Sequence, residues 1–219
     1  MVLAKSSPAS SNVLDKMETI DMFTGIVQGI GNVTGVTLHE AHRRLTIVLP
    51  NVEGLNIGAS VAIDGVCLTA VAINDSEVHF DVIEETIRRT TLGGLEQGSV
   101  VNVERSLKFG DELGGHLLSG HIMEMGEVIE VKSSSETMDV RLRVSPHVRQ
   151  YIVEKGYVAI NGVSLTIGAC EEDSFWLHLI PETLQLTTCD AFTVGQMTNI
   201  EIDNTTQVIV ETVKRQLGK

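Results

Sequence analysis

Residues 60–71 read SVAIDGVCLTAV and residues 157–168 read YVAINGVSLTIG, so one phrase is written twice in the chain. From Val61 to Thr69 against Val158 to Thr166, seven of nine residues are identical. Gly65 and Gly162 lie 97 residues apart, as do Glu85 and Glu182, Thr86 and Thr183, and Glu104 and Glu201. IEETIRRTT from Ile83 is answered by IPETLQLTT from Ile180 in the same register. An earlier pair, FTGIVQGIGNV from Phe23 and LSGHIMEMGEV from Leu118, matches at an offset of 95, so a two-residue length change falls before the later blocks. Such a unit is far longer than the roughly 20 to 50 residues of solenoid or propeller repeats and close to the size of an independently folding domain. The chain therefore reads as two tandem copies of one domain, 22–117 and 118–203, preceded by an arm, 1–21, and followed by a tail, 204–219.

Hydrophobic residues make up 42% of 219 positions, which is ample for two small cores. With 16 basic against 29 acidic residues and a net charge of −13, the chain lacks the electrostatic footprint of a nucleic-acid binder and would be repelled by an anionic membrane surface. Cys67, Cys170 and Cys189 are odd in number and show no C-x-x-C spacing, which argues against a disulfide framework and a zinc site and fits a reducing cytoplasm. The arm is polar and Ser-rich, without the apolar core of a signal peptide, and reads as disordered. No run approaches the roughly 18 apolar residues of a membrane span.

Within each copy, short alternating runs such as RLTIVLP, SEVHFDVI and SVVNVERS are rich in Val, Ile and Thr and broken by turn residues, as in strands. Turn signals every 8 to 12 or so residues, with little helix between them, favour a small antiparallel barrel or sandwich in each half. The tail departs from this pattern: Val208 or Ile209, Val213 and Leu217 fall near helical spacing behind a Thr205 or Thr206 cap. A helix of that length is marginal alone and must dock, on another subunit or on its own barrel.

The opening MFTGIVQG, the linker KFGDELGGHLLSGHIM, the paired GVCLT and GVSLT, HLIPETL and the closing NIEID together resemble the riboflavin synthase family, from Met22 to about Val213. The resemblance implies an all-β chain of two similar six-stranded antiparallel Greek-key barrels and a homotrimer gathered by C-terminal helices. It implies no cofactor and no metal, and a dismutation in which one 6,7-dimethyl-8-ribityllumazine passes a four-carbon unit to another, giving riboflavin and an aminopyrimidine. A reaction between two copies of one molecule calls for two similar pockets, and duplication supplies them. The family's methionine and phenylalanine stand near the N-terminus, whereas here 21 residues precede them.

Residues shared between the copies suit recognition: Thr69 and Thr166, Thr86 and Thr183 carry hydroxyls, and Glu85 and Glu182 carboxylates, for a ligand rich in donors and acceptors. Taken alone, each is ordinary strand-end chemistry. By resemblance the first pocket takes Gly25, Ile26 and Val27, then Cys67, Leu68 and Thr69, then Asp81, Val82, Ile83, Glu84, Glu85 and Thr86. The second takes Lys155, Ser164, Leu165 and Thr166, with Ile180, Pro181, Glu182, Thr183, Leu184 and Gln185, while Gly120, His121 and Ile122 lie at the first pocket's edge.

The residues that differ between copies should assign the donor and acceptor roles: Cys67 faces Ser164, Ile26 faces His121, Phe23 faces Leu118, and Ser106 faces Asp203. His121 leads as the base that takes a proton from the donor's 7-methyl group, because imidazole is the side-chain type that ordinarily titrates nearest neutrality. His116 ranks below it, and an H-x4-H metal site lacks supporting ligands. Cys67 is a candidate nucleophile, or a small buried hydrophobe; Ser60 is a candidate for placing water or an alkoxide. Asp203 is a proton-handling group or a helix cap, and Phe23 matches the family's near-terminal phenylalanine. Two rival readings stand beside this one: a fluorescent antenna of the same superfamily, and a flavin reductase, whose R-x-Y-[ST] signature is not met.

Overall fold

The computed structural model of the chain describes residues 22–218, so the arm expected over 1–21 lies outside the described residues. Twelve strands form two closed barrels. The first consists of β1 (Gly29–Leu38), β2 (His42–Val48), β3 (Ser60–Ile63), β4 (Val66–Asn74), β5 (Glu77–Ile83) and β6 (Val100–Arg105), closed in the order β1-β2-β5-β4-β3-β6. The second repeats that order with β7 (Glu124–Ser133), β8 (Met138–Arg143), β9 (Tyr157–Ile160), β10 (Val163–Cys170), β11 (Ser174–Leu179) and β12 (Met197–Ile202). All pairings are antiparallel. This is the duplicated all-β architecture that the alternating runs and the family resemblance imply.

Alternation along the strands fills each barrel. In β5, Val78, Phe80 and Val82 point inward while Glu77, His79, Asp81 and Ile83 point out. The two cores distribute volume differently: Val78 and Phe80 of the first barrel correspond to Phe175 and Leu177 of the second, all fully buried. One inward-facing phenylalanine per strand is retained, one pleat step along.

EETIRR and PETLQL form short helices, α1 (Glu84–Arg89) and α3 (Pro181–Leu186). Glu84 and Glu85 at the start and Arg88 and Arg89 at the end of α1 complement the helix dipole, and Pro181 suits the first turn of α3. A single further turn, α2 (Pro146–Arg149), connects β8 toward β9.

The tail forms α4 (Asn204–Gln216), but its cap is Asp203 rather than Thr205 or Thr206. The Asp203 carboxylate accepts from the N–H groups of Thr205 and Thr206, at 3.4 and 2.9 Å, satisfying donors that the first turn leaves unpaired. One side of α4 touches its own barrel: Val210 packs against the second core and Tyr151 donates to Glu211. Val208, Ile209 and Val213 on the helix, and Leu217 at its C-cap, remain at least 50% exposed.

The barrels meet at the turns joining β3 to β4 and β9 to β10. Asp64-Gly65 and Asn161-Gly162 all have positive φ (44° and 78°, 45° and 78°), the conformation that two-residue Asp-Gly and Asn-Gly hairpin turns adopt. The turns press on one another: a Cβ on Gly65 would lie 2.6 Å from the Gly162 nitrogen, and one on Gly162 would lie 2.8 Å from the Gly65 nitrogen. Around this contact the Asn102 amide donates to the Asn161 carbonyl, and the Asn199 amide to the Asp64 carbonyl, both at 2.9 Å. Their side-chain oxygens accept from Thr188 and Thr91 across the same seam, both at 2.8 Å.

One residue breaks this symmetry. Asp64 is a carboxylic acid where the second copy has the amide of Asn161, and burial pushes its pKa up to about 7 against the hydrogen bond from the Asn102 N–H. Because the folded pKa is raised, the folded chain holds a proton that the unfolded chain releases between about pH 4 and pH 7, so this group contributes a loss of stability across that window. Asp64→Asn should stabilise the protein by up to about 4 kcal/mol at pH 8 and by less than about 1 kcal/mol at pH 4, read from denaturant unfolding. An equal gain at both values would contradict the assignment.

Candidate active site

The segments that precede β1 and β7 each cross the seam to the other barrel. Phe23 and Leu118 form an antiparallel bridge, with Phe23 N–H to Leu118 O at 2.9 Å and Leu118 N–H to Phe23 O at 3.0 Å. Beyond the bridge, Gly25 O accepts from the Ser164 N–H at 2.8 Å, and Gly120 O accepts from the Cys67 N–H at 3.0 Å. Only glycine permits this approach. A Cβ on Gly25 would lie 2.6 Å from that of Ser164, and one on Gly120 would lie 2.5 Å from that of Cys67.

Two buried carboxylates hold the crossing segments. Glu104 on β6 accepts from the N–H and hydroxyl of Thr24 at 2.6 and 2.8 Å and from the Gly25 N–H at 3.0 Å. Glu201 on β12 accepts from the N–H and hydroxyl of Ser119 at 2.6 and 2.9 Å, from the Gly120 N–H at 3.1 Å, and from the His121 backbone. Burial pushes both carboxyls up and these donors pull them back down, with a net rise in each case.

Two outward shelves result. On the first barrel, Cys67 and Thr69 project from β4, with Asp81 and Ile83 on β5 and Glu84, Glu85 and Thr86 on α1. The crossing Gly120–Ile122 segment completes this shelf, and Ile122 packs against the first core. On the second barrel, Ser164 and Thr166 project from β10, followed by Ile180 and by Pro181, Glu182, Thr183, Leu184 and Gln185 of α3. Here the crossing segment is Gly25–Val27, and Val27 packs against the second core. The sequence-based grouping of Gly25 and Val27 with the first pocket is therefore corrected: the crossing places them against the second barrel, while Ile26 between them is exposed and lines a surface depression with Glu104 and Arg105.

Several expected residues contribute backbone only. Leu68, Val82 and Leu165 point into the barrels and are at most 8% exposed. Phe23 is 1% exposed, its ring filling the seam with Ala62, Leu118 and Ala159. It anchors the crossing instead of presenting a surface to a ligand. Ser60, also buried, pairs with Thr69 across β3 and β4. Asp81 is engaged from the side: Arg44 binds it through two hydrogen bonds, at 2.7 and 2.8 Å, and holds its carboxyl below the usual range. Lys155 is exposed and sits in a left-handed turn, φ 66°, before β9.

Both histidines of the linker line one cavity of about 800 Å³ with Ser119, Tyr157 and Asp203. His121 is exposed, and its imidazole makes no hydrogen bond to a described residue. His116, ranked lower from the sequence, is buried: Nδ1 lies 2.6 Å from the Ser164 hydroxyl, the ring stacks on Tyr157 at 5.3 Å, and Nε2 has no partner among the described residues. Burial lowers its pKa, against the pull of Asp203, so the neutral ring is favoured. Nothing in the H-x4-H spacing reveals the contact with Ser164, which the fold brings from 48 residues away. Asp203 is the helix cap, and it also lines the cavity. Burial raises its pKa, but the bonds from Thr206 and Thr205 and the influence of His116 outweigh this and hold it low.

The lumazine binding domain family matches the chain twice, over residues 24–106 and 119–203. Riboflavin synthase of Escherichia coli (strain K12) is 45% identical over 200 residues, covering 90% of this chain and 94% of that protein. The chain belongs to the riboflavin synthase family. The Chlamydia pneumoniae member is 44% identical over 204 residues, covering 90% of this chain and 98% of its own length. The crystal structure of LumP complexed with riboflavin matches with a TM-score of 0.77 at 29% identity, covering 83% of this chain and all of that one. LumP complexed with 6,7-dimethyl-8-(1'-D-ribityl) lumazine gives a TM-score of 0.76 at 26% identity, covering 83% and 99%.

The close approaches at the crossing predict a sharp contrast among glycine substitutions. Gly120→Ala and Gly25→Ala should each destabilise the protein by more than about 3 kcal/mol, as overpacking and left-handed strain combine, whereas Gly98→Ala meets no neighbour and should lose about 1 kcal/mol. Thermal melts of the three variants check this, and similar losses in all three would refute the close approach.

Proposed function

We propose that the chain catalyses the last step of riboflavin formation, a dismutation of two 6,7-dimethyl-8-ribityllumazine molecules that yields riboflavin and 5-amino-6-(D-ribitylamino)uracil. The observation that carries this reading is the presence of two complete, similarly built shelves on one chain, each with its threonine, its short helix and its crossing glycine segment. Each shelf takes one lumazine, with Thr69 or Thr166 addressing the heterocycle and the helix-start residues addressing the ribityl chain.

His121, which stands where the first copy has Ile26, takes the proton from the donor's 7-methyl group. The resulting carbanion attacks the second lumazine, held on a facing shelf that carries Ser164 and its buried partner His116. Asp203 and His116, facing the same cavity, pass protons to and from the pair. The protein supplies position and proton transfer, and the lumazines supply the carbon skeleton and the leaving aminopyrimidine. Among the described residues no disulfide joins Cys67, Cys170 and Cys189, which suits a reducing compartment, and we place the enzyme in the cytoplasm. Among the described residues no helix is long and apolar enough to cross a membrane.

Both shelves open outward on their own barrel, so transfer between two bound lumazines calls for two shelves brought face to face. We assign that task to a homotrimer built on the exposed side chains of α4. Val213→Asp with Leu217→Asp alters side chains that are 50% and 66% exposed, so the barrels should stay folded while assembly is lost. Each buried apolar side chain would contribute about 1.5–3 kcal/mol to association. Sedimentation should give a monomer and turnover should fall to background; a monomer turning over at the parent rate would sink the interfacial arrangement.

His121→Gln should lower turnover by about 10² to 10⁴ with lumazine affinity nearly unchanged, the behaviour of a lost general base. Thr166→Val should weaken binding by about 0.5–1.5 kcal/mol per lost hydrogen bond while leaving the saturated rate close to that of the parent. A binding titration and a saturation curve for both variants decide the matter. If His121→Gln loses affinity and keeps its rate, the histidine positions the ligand and another group takes the proton.

A further inference from the structure

The two buried carboxylates at the seam are 4% exposed, and neither touches the shelf of its own barrel through the contacts described above. Glu104 stands on β6 opposite Ala62 of β3, in the first barrel, yet all three of its hydrogen bonds go to Thr24 and Gly25. Gly25 in turn presents its carbonyl to Ser164, in the second barrel. Glu201 mirrors this from β12, opposite Ala159: it holds Ser119 and Gly120, and Gly120 presents its carbonyl to Cys67 in the first barrel. We infer that Glu104 and Glu201 are positioning residues that act crosswise, Glu104 fixing the second shelf and Glu201 fixing the first shelf together with His121.

Physical chemistry gives the arrangement its force. A carboxylate is an acceptor-only group that can take several donors at once, and each of these collects the N–H groups of consecutive residues plus one hydroxyl. The segment is thereby fixed as a rigid body: its N–H groups face the carboxylate and its carbonyl faces the other barrel's strand. An amide in place of the carboxylate retains one acceptor and turns an NH2 toward donors, so the segment must shift. Because the next residue after Gly120 is His121 and the next after Gly25 is Ile26, the symmetrical clamps have unequal consequences. Loss of the Glu201 clamp misplaces the His121 imidazole directly, whereas loss of the Glu104 clamp misplaces Ile26 and reaches His116 only through the Thr24 carbonyl that accepts from its N–H.

This inference rests on the reading of the shelves as lumazine sites, so its test combines one readout that needs no ligand with one that does. Amide hydrogen exchange of the unliganded protein comes first. Glu201→Gln should speed exchange at the Cys67 amide by about tenfold or more and leave Ser164 within about twofold of the parent, and Glu104→Gln should do the reverse. Lumazine titration of double variants comes second. The effect of Glu201→Gln should overlap with that of Thr69→Val in the other barrel and simply multiply with that of Thr166→Val in its own, within about twofold. The saturated rate should fall by about tenfold or more in Glu201→Gln and by less in Glu104→Gln. A general loss of structure would move both amides and both shelves alike, and that result overturns the inference, as does coupling within one barrel. Should the glutamine variants fail to fold, Ser119→Ala and Thr24→Ala each remove one donor and carry the same crossed expectation at smaller amplitude. Crossed exchange in a protein that binds no lumazine would uphold the positioning role and refute the proposed function instead.

Discussion

Contact between two glycine turns sets the geometry on which the rest of the molecule depends. With Gly65 and Gly162 so close that neither tolerates a Cβ, the barrels lie near enough for a few residues of chain to pass from one to the other. The asparagines of β6 and β12 then close the seam by donating to the opposite turn and accepting from the loop beyond it. A duplicated domain that merely sat beside its copy would have two self-contained sites. Here each site borrows its glycine segment from the other copy, so neither half of the sequence describes a complete pocket.

That exchange gives the similar shelves different chemistry. Cys67 on the first faces the segment that carries His121, whereas Ser164 on the second faces the segment that carries Ile26 and is bonded to buried His116. The two barrels share one strand order, and we propose that the distinction between a site that gives and a site that receives is carried by a handful of side chains on either side of the crossing. Asp203 links this chemistry to the tail, since the carboxylate that caps α4 also lines the cavity with both histidines.

Much of this was legible in the residues. The 97-residue register announces the duplication, and the two-residue period announces strands. Sequence could not show that Gly25 belongs with Ser164 and Gly120 with Cys67, because the crossing is a tertiary event with no local signature. For the same reason neither the burial of Phe23 in the seam nor the contact of His116 with Ser164, remote in the chain, has a local signature. Asp203 and the two threonines after it are all residue types that cap helices, and only the fold shows that Thr205 and Thr206 donate to Asp203.

We propose that each lumazine site is assembled from one barrel's strand and the other copy's leading segment. A crystal structure of the chain with 6,7-dimethyl-8-ribityllumazine bound tests it most directly. The account predicts that the heterocycle held by Thr69 touches the backbone of Gly120–Ile122 and that the one held by Thr166 touches Gly25–Val27. A heterocycle seated between Thr69 and Gly25–Val27 would contradict it.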